Sequence, residues 1–139
     1  MFNLGTSPSR TVPPKLLSIA KLEINSILSN VHGVHFVMLC STDGFELALA
    51  NKKNVNNNGK IAAVSSSILA MVTAFISEIN LKGCQTVTLD AENGKAILTS
   101  IPAKNNPMLI VTVTDKDILL GQLFYSLNKA TETIVAADV

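Results

Sequence analysis

The sequence predicts an α+β domain in which one antiparallel sheet carries helices on its faces. Three observations predict it. Apolar residues recur at three- and four-residue steps in three segments: at the start, in the middle and at the end of the chain. Between those segments lie five short runs rich in apolar and β-branched residues. Two of the joins, Thr42-Asp43-Gly44 and Glu92-Asn93-Gly94-Lys95, are tight turns, so the strands that they connect run antiparallel. The order is helix, two strands, helix, three strands, helix, and one sheet with helices on its faces buries every apolar stripe.

Residues 1–14, with Pro8, Pro13 and Pro14, read as a flexible N-terminal arm that ends in a helix start, because proline is tolerated in a first turn. A single domain is expected over 15–137. In its first helix Leu17, Ala20, Ile24, Leu28 and Val31 form a core stripe, widened by Leu16 and Ile27. Gly33 ends it. Val34 to Cys40 is apolar on both faces and reads as a central strand. Phe45 to Ala50 returns, with Phe45, Leu47 and Leu49 on one face. Asn51 to Gly59 is an Asn-rich loop, and an Asn near its end is placed to cap the middle helix. Cys84–Ala91 and Ala96–Ile101 form a hairpin. Met108–Thr114 is a fifth strand. Asp115 and Asp117 stand where they can cap a last helix, whose stripe is Leu120, Leu123, Leu127, Ala130 and Ile134.

Composition narrows the function. The chain has 139 residues, enough for one core without metal or disulfide. Only 15% of its residues are charged, against about 25% in an ordinary soluble domain, and 47% are hydrophobic. That balance favours a surface partly covered by another chain. A net charge of +1 gives no electrostatic footprint for nucleic acid or an anionic membrane. No secretion signal opens the chain, no span of about 18–20 apolar residues is expected, and Cys40 and Cys84 read as buried free thiols. A cytoplasmic protein is expected.

The middle helix is the most informative segment. No charged residue occurs from Ile61 to Ser77. On a helical wheel Ile61, Val64, Ile68, Met71, Val72, Phe75, Ile76 and Ile79 share a broad face that is expected to pack on the sheet. The other face holds only small residues, among them Ala63, Ser66, Ser67, Ala70, Ala74 and Ser77. A solvated helix face normally carries Lys and Glu. A face of Ala and Ser lets a second helix approach closely. The strand after it has Gln85, Thr86, Val87, Thr88 and Leu89, with no Lys or Pro to protect an edge before Asp90. Helix face and strand edge together predict a two-fold homodimer through these eleven residues.

Catalytic chemistry is hard to find. His32 and His35 are the only histidines and have no nearby Cys or carboxylate that completes a metal site. Ser65-Ser66-Ser67 lies on a helix, without the sharp strand-to-helix turn of a nucleophile. The glycines are isolated, so no phosphate loop is present. No enzyme, no metal and no cofactor are expected.

The segment Gly33-Val34-His35-Phe36-Val37-Met38-Leu39-Cys40-Ser41-Thr42-Asp43-Gly44-Phe45-Glu46-Leu47-Ala48 resembles the first hairpin of the roadblock/dynein light chain family. The uncharged middle helix, the Asn-Gly hairpin and the Asp-rich turn before a last helix with Gly121 follow in that family's order. The resemblance implies a five-stranded antiparallel sheet in the order second, first, fifth, fourth, third. It places the middle helix on one face and the terminal helices on the other, and it implies dimers through the middle helix and the third strand. It also implies a non-catalytic regulator or scaffold that binds a small Ras-like GTPase and modulates its nucleotide cycle. The alternative reading is a profilin-like sensory module that binds a small ligand against one face of the sheet. Finally, Ile19 and Leu22 lie about one turn apart, off the core stripe of the first helix, and are expected to contact a partner.

Overall fold

The computed structural model describes residues 12–54 and 56–139, so most of the expected arm (1–11) lies outside the described residues. The elements are α1 (Pro14–Asn30), β1 (Val34–Ser41), β2 (Glu46–Asn51), α2 (Asn58–Glu78), β3 (Thr86–Ala91), β4 (Gly94–Ile101), β5 (Met108–Thr114) and α3 (Leu120–Ala137). The strands form one antiparallel sheet in the order β2-β1-β5-β4-β3. β1 and β5 sit centrally because both their faces are apolar.

Each face of the sheet has its own core. On one side α1 and α3 cover Val34, Val37, Leu39, Ile97, Ile101, Met108 and Ile110. The stripes Leu16, Ala20, Ile24, Ile27, Leu28 and, from α3, Leu123, Leu127, Ala130 and Ile134 are buried there. Each such side chain contributes roughly 1.5–3 kcal/mol on leaving water. On the other side α2 rests on Phe36, Met38, Cys40, Leu98, Leu109 and Val111.

Local details depart from expectation for physical reasons. β2 carries a bulge: Leu39 pairs with Ala48 while Cys40 pairs with Glu46, which leaves Leu47 as an extra residue. The bulge switches faces, so Leu47 packs with the α1–α3 core and Leu49 with the α2 core. Phe45 stays outside the strand and exposed. Neither later helix has its expected cap. Asn57 precedes α2 with a left-handed φ of 73°, and its side chain makes no cap hydrogen bond. At α3 the cap position is Leu119, and Asp115 instead meets His35, Oδ1 to Nε2 at 3.1 Å. Gly94 is required for space: an added Cβ would lie 2.6 Å from the carbonyl oxygen of Thr114.

Candidate interaction surface

The placement of α2 begins at the β1–β2 turn. Gly44 adopts φ 96°, and its amide donates to the Ser41 carbonyl at 3.1 Å, closing the turn. A Cβ on Gly44 would stand 3.3 Å from the Cα of Ala63, so the turn lies directly against the helix. The Ser66 hydroxyl donates to the Thr42 carbonyl across the same contact. These contacts set the rotation of α2 about its axis. Small residues make them possible, and Ala62, Ser65 and Leu69 turn to the sheet.

That rotation changes the expected use of the large residues. Ile61 and Ile68 pack against the core, and Val72 and Ile76 are half-buried. Val64, Met71, Phe75 and Ile79 do not pack on the sheet; Met71 is 65% exposed and Phe75 63%. The apolar stripe read from the sequence is therefore divided, half inward and half outward. Sequence reasoning missed the outward half because periodicity marks a stripe but not its rotation. The signal was the row of small residues, which permits close approach to the sheet as well as to a second helix.

Of the residues predicted for contact, Ala63, Ser67, Ala70, Ala74 and Ser77 are exposed on α2, beside Val64, Met71 and Phe75. Ser66 is half-buried, with its hydroxyl engaged at Thr42. Gln85, Thr86, Thr88 and Leu89 are exposed, and Val87 is half-buried against the α2 core. Among the described residues β3 is an edge strand, paired only with β4. Its one charge is drawn back into its own chain: Asp90 accepts from Lys95 at 2.7 Å and from Lys116 at 2.6 Å. The Lys116 and Lys95 hydrogen bonds hold the Asp90 carboxyl down to about 2.

α2 also corrects the expectation of no membrane-length segment. Its 21 residues are long and apolar enough to cross a membrane by length and composition alone. Its inner face is nevertheless occupied by the sheet. On the first helix Ile19 is half-buried and Leu22 is 70% exposed; neither belongs to the core cluster.

Elsewhere the chemistry is sparse. Both cysteines are free; Cys40 is buried, and burial followed by the nearby Glu46 carboxylate pushes its thiol up to about 12. Cys84 is half-buried against the α2 core. Among the described residues no group of three or more His, Cys, Asp or Glu side chains is gathered for a metal.

No family model and no curated protein matches the sequence. Solved structures match the fold closely. The gliding protein MglB from Thermus thermophilus is 16% identical, with a TM-score of 0.82 over 96% of this chain and 98% of its own. MglB of Myxococcus xanthus is 11% identical, with a TM-score of 0.81 over 91% and 92%. A roadblock/LC7 domain from Streptomyces avermitilis is 11% identical, with a TM-score of 0.73 over 84% and 95%. The chain thus has the roadblock/LC7 fold, a single five-stranded antiparallel sheet with three helices.

Proposed function

We propose that this chain is a non-catalytic, cytoplasmic regulator or scaffold that dimerises through α2 and β3 and binds a small Ras-like GTPase. The observation that carries the proposal is the outward half of α2. Val64, Met71 and Phe75 stand exposed on a helix without charge from Ile61 to Ser77, and the edge strand that follows it has its only charge paired within its own chain. Contiguous exposed apolar surface of this kind is a mark of protein–protein contact. Covering each large side chain contributes roughly 1.5–3 kcal/mol. The eleven predicted contact residues flank this stripe or form the β3 edge, and Met71 and Phe75 join them as its large anchors. The likeness to two MglB structures and a roadblock/LC7 domain supports a regulator over an enzyme.

Two measurements test the two parts separately. Analytical ultracentrifugation of Phe75→Glu against wild type is expected to show loss of one association step. Equal masses at every concentration would remove α2 from the interface. Ras-like GTPases of the same cell, carrying a fluorescent GDP or GTP analogue, are expected to gain anisotropy on titration with the chain. No gain with any of them in either nucleotide state would overturn the GTPase part and leave the dimer standing.

A further inference from the structure

The two-helix layer stops short of the β3 edge. α3 packs over β4, whereas Thr86 and Thr88, on the same side of β3, are exposed. Thr99 stands two residues from Ile97 and from Ile101, which are buried under α1 and α3, so its side chain lies on that face too. Thr86 pairs with Thr99 and shares the face. Here α3 and the β3–β4 hairpin enclose a trough of about 350 Å³. Gln85, Thr86 and Thr99 line it from the sheet, and Asn128, Thr131 and Glu132 line it from α3. It continues into a cavity of about 220 Å³ that shares Gln85, Thr86 and Asn128 and adds Phe124 and Leu127.

The fold leaves the polar groups of this trough unused. Thr99 is only 4% exposed, and its buried hydroxyl has no hydrogen-bond partner among the described residues. A buried hydroxyl left unpaired is costly, and a ligand that reaches it removes that cost. The Thr131 hydroxyl donates to the Leu127 carbonyl at 2.8 Å, so its oxygen is left to accept. Glu132 joins none of the ion pairs among the described residues. Among those residues no Lys, Arg or His lines either cavity. The site thus carries one negative charge, several neutral polar groups and an apolar end. From Phe124 to Glu132 the helix rises about 12 Å.

We infer that the trough binds a small amine, a ligand with an ammonium group, a hydroxyl and an apolar stem. Its ammonium meets the Glu132 carboxylate. Its stem lies toward Phe124 and Leu127. Its hydroxyl, between the two, is within the span of Gln85, Asn128 and the unpaired Thr99. A phosphate or carboxylate ligand would find no cation there and would be repelled by Glu132. The inference goes beyond the proposed regulation of a GTPase and does not rest on it. Pairing of β3 with another copy uses the edge of the strand in the plane of the sheet, and the trough opens on its face.

Titration of the full chain with phenylethanolamine, followed by NMR shifts of the backbone amides, tests the inference. Saturable shifts are expected at the residues of the trough. Mandelate, which has a carboxylate where phenylethanolamine has its aminomethyl group, is expected to bind at least about tenfold more weakly. Glu132→Gln is a surface change and is expected to remove most of that preference. Thr99→Val keeps the shape of the side chain and removes the hydroxyl. It is expected to fold at least as stably as wild type and to bind the amine about tenfold more weakly. Thr112→Val removes another buried, unpaired hydroxyl, one that does not line the trough, and is expected to leave binding unchanged. That contrast separates a contact with the ligand from a general effect on the core. The inference is overturned if no saturable shift appears, if the shifts fall away from the trough, if mandelate binds as well as the amine, or if Thr99→Val binds like wild type.

Discussion

The two faces of the sheet are covered in different ways. On one, two helices of 17 and 18 residues bury most of their apolar stripes, and Leu123, Leu127, Ala130 and Ile134 of α3 are at most 1% exposed. On the other, a single helix of 21 residues buries only Ala62, Ser65 and Leu69. The single helix is the more apolar of the three, yet it hides the least. Two helices leave little of their side of the sheet open and bury most of their apolar positions, Leu22 being the large exception. One helix crossing a five-stranded sheet cannot match that. Its surplus apolar surface is a property of the separate chain, and another chain can cover it.

The sharpest way to break this comparison is to truncate one residue on each side. Leu127→Ala removes a buried side chain from the two-helix core and is expected to cost about 2–5 kcal/mol in urea unfolding. Phe75→Ala removes a larger side chain from α2, yet its effect on unfolding of the dilute monomer is expected to stay within about 0.5 kcal/mol. Its effect on association is expected to be large, since the proposed interface uses the ring as an anchor. Equal costs in the monomer would mean that Phe75 is part of a core, and the division of the α2 stripe would be wrong.

The same comparison explains what could be read from the residues. The stripes of α1 and α3 were legible because nothing competes with the sheet for them: Ile24, Leu28, Leu127 and Ile134 all face inward. The strand order came through the family resemblance; the residues themselves marked only β1, apolar on both faces, as central. The outward half of α2 was not legible, because its rotation depends on the contact of Gly44 with Ala63, between residues far apart in the chain. The face switch at Leu47 was equally hidden, since one extra residue in β2 leaves no mark in composition. Asp115 looked like a cap because of its place before α3; its partner, His35, lies 80 residues away. Long-range contacts decided each of these.

A smaller effect is expected at the join of the hairpin to β5. Gly94 faces the Thr114 carbonyl so closely that a Cβ would stand 2.6 Å from the oxygen. Backbone must move to admit it, because no flexible side chain lies there to yield. Gly94→Ala is expected to cost about 1–3 kcal/mol, as overpacking does. Gly59→Ala, where a Cβ meets nothing within 4 Å, serves as the control and is expected to be near neutral. The loss should appear in thermal unfolding of the monomer and leave the α2 surface unchanged. A neutral Gly94→Ala would show that β3 and β4 shift freely against β5, and the edge strand would then be a poor platform for a partner.

The smallest effect concerns the ion pairs at the β3 corner. Asp90 accepts from Lys95 beside it on β4 and from Lys116, which also donates to the Ala91 carbonyl at 2.9 Å. Together they tie the hairpin to the loop that leads into α3. The carboxyl is held near 2, chiefly by the Lys116 hydrogen bond and then by that of Lys95, against an ordinary value of 3.8. A carboxyl lowered on folding adds stability above its unfolded value and loses that contribution as the pH falls through its folded one. The difference between wild type and Asp90→Asn is therefore expected to be constant above about pH 4, to shrink as the pH falls from 3.8 toward 2, and to vanish below that. The group is solvent-exposed, so salt should reduce the difference at neutral pH. Removing the carboxylate also leaves Lys95 without its partner beside the edge strand, while Lys116 keeps the Ala91 carbonyl, and a free lysine opposes strand pairing. Asp90→Asn is thus expected to weaken association through β3 more than it weakens the fold. A variant that lost stability but associated as well as wild type would show that the corner only ties the hairpin down and leaves pairing at the edge untouched.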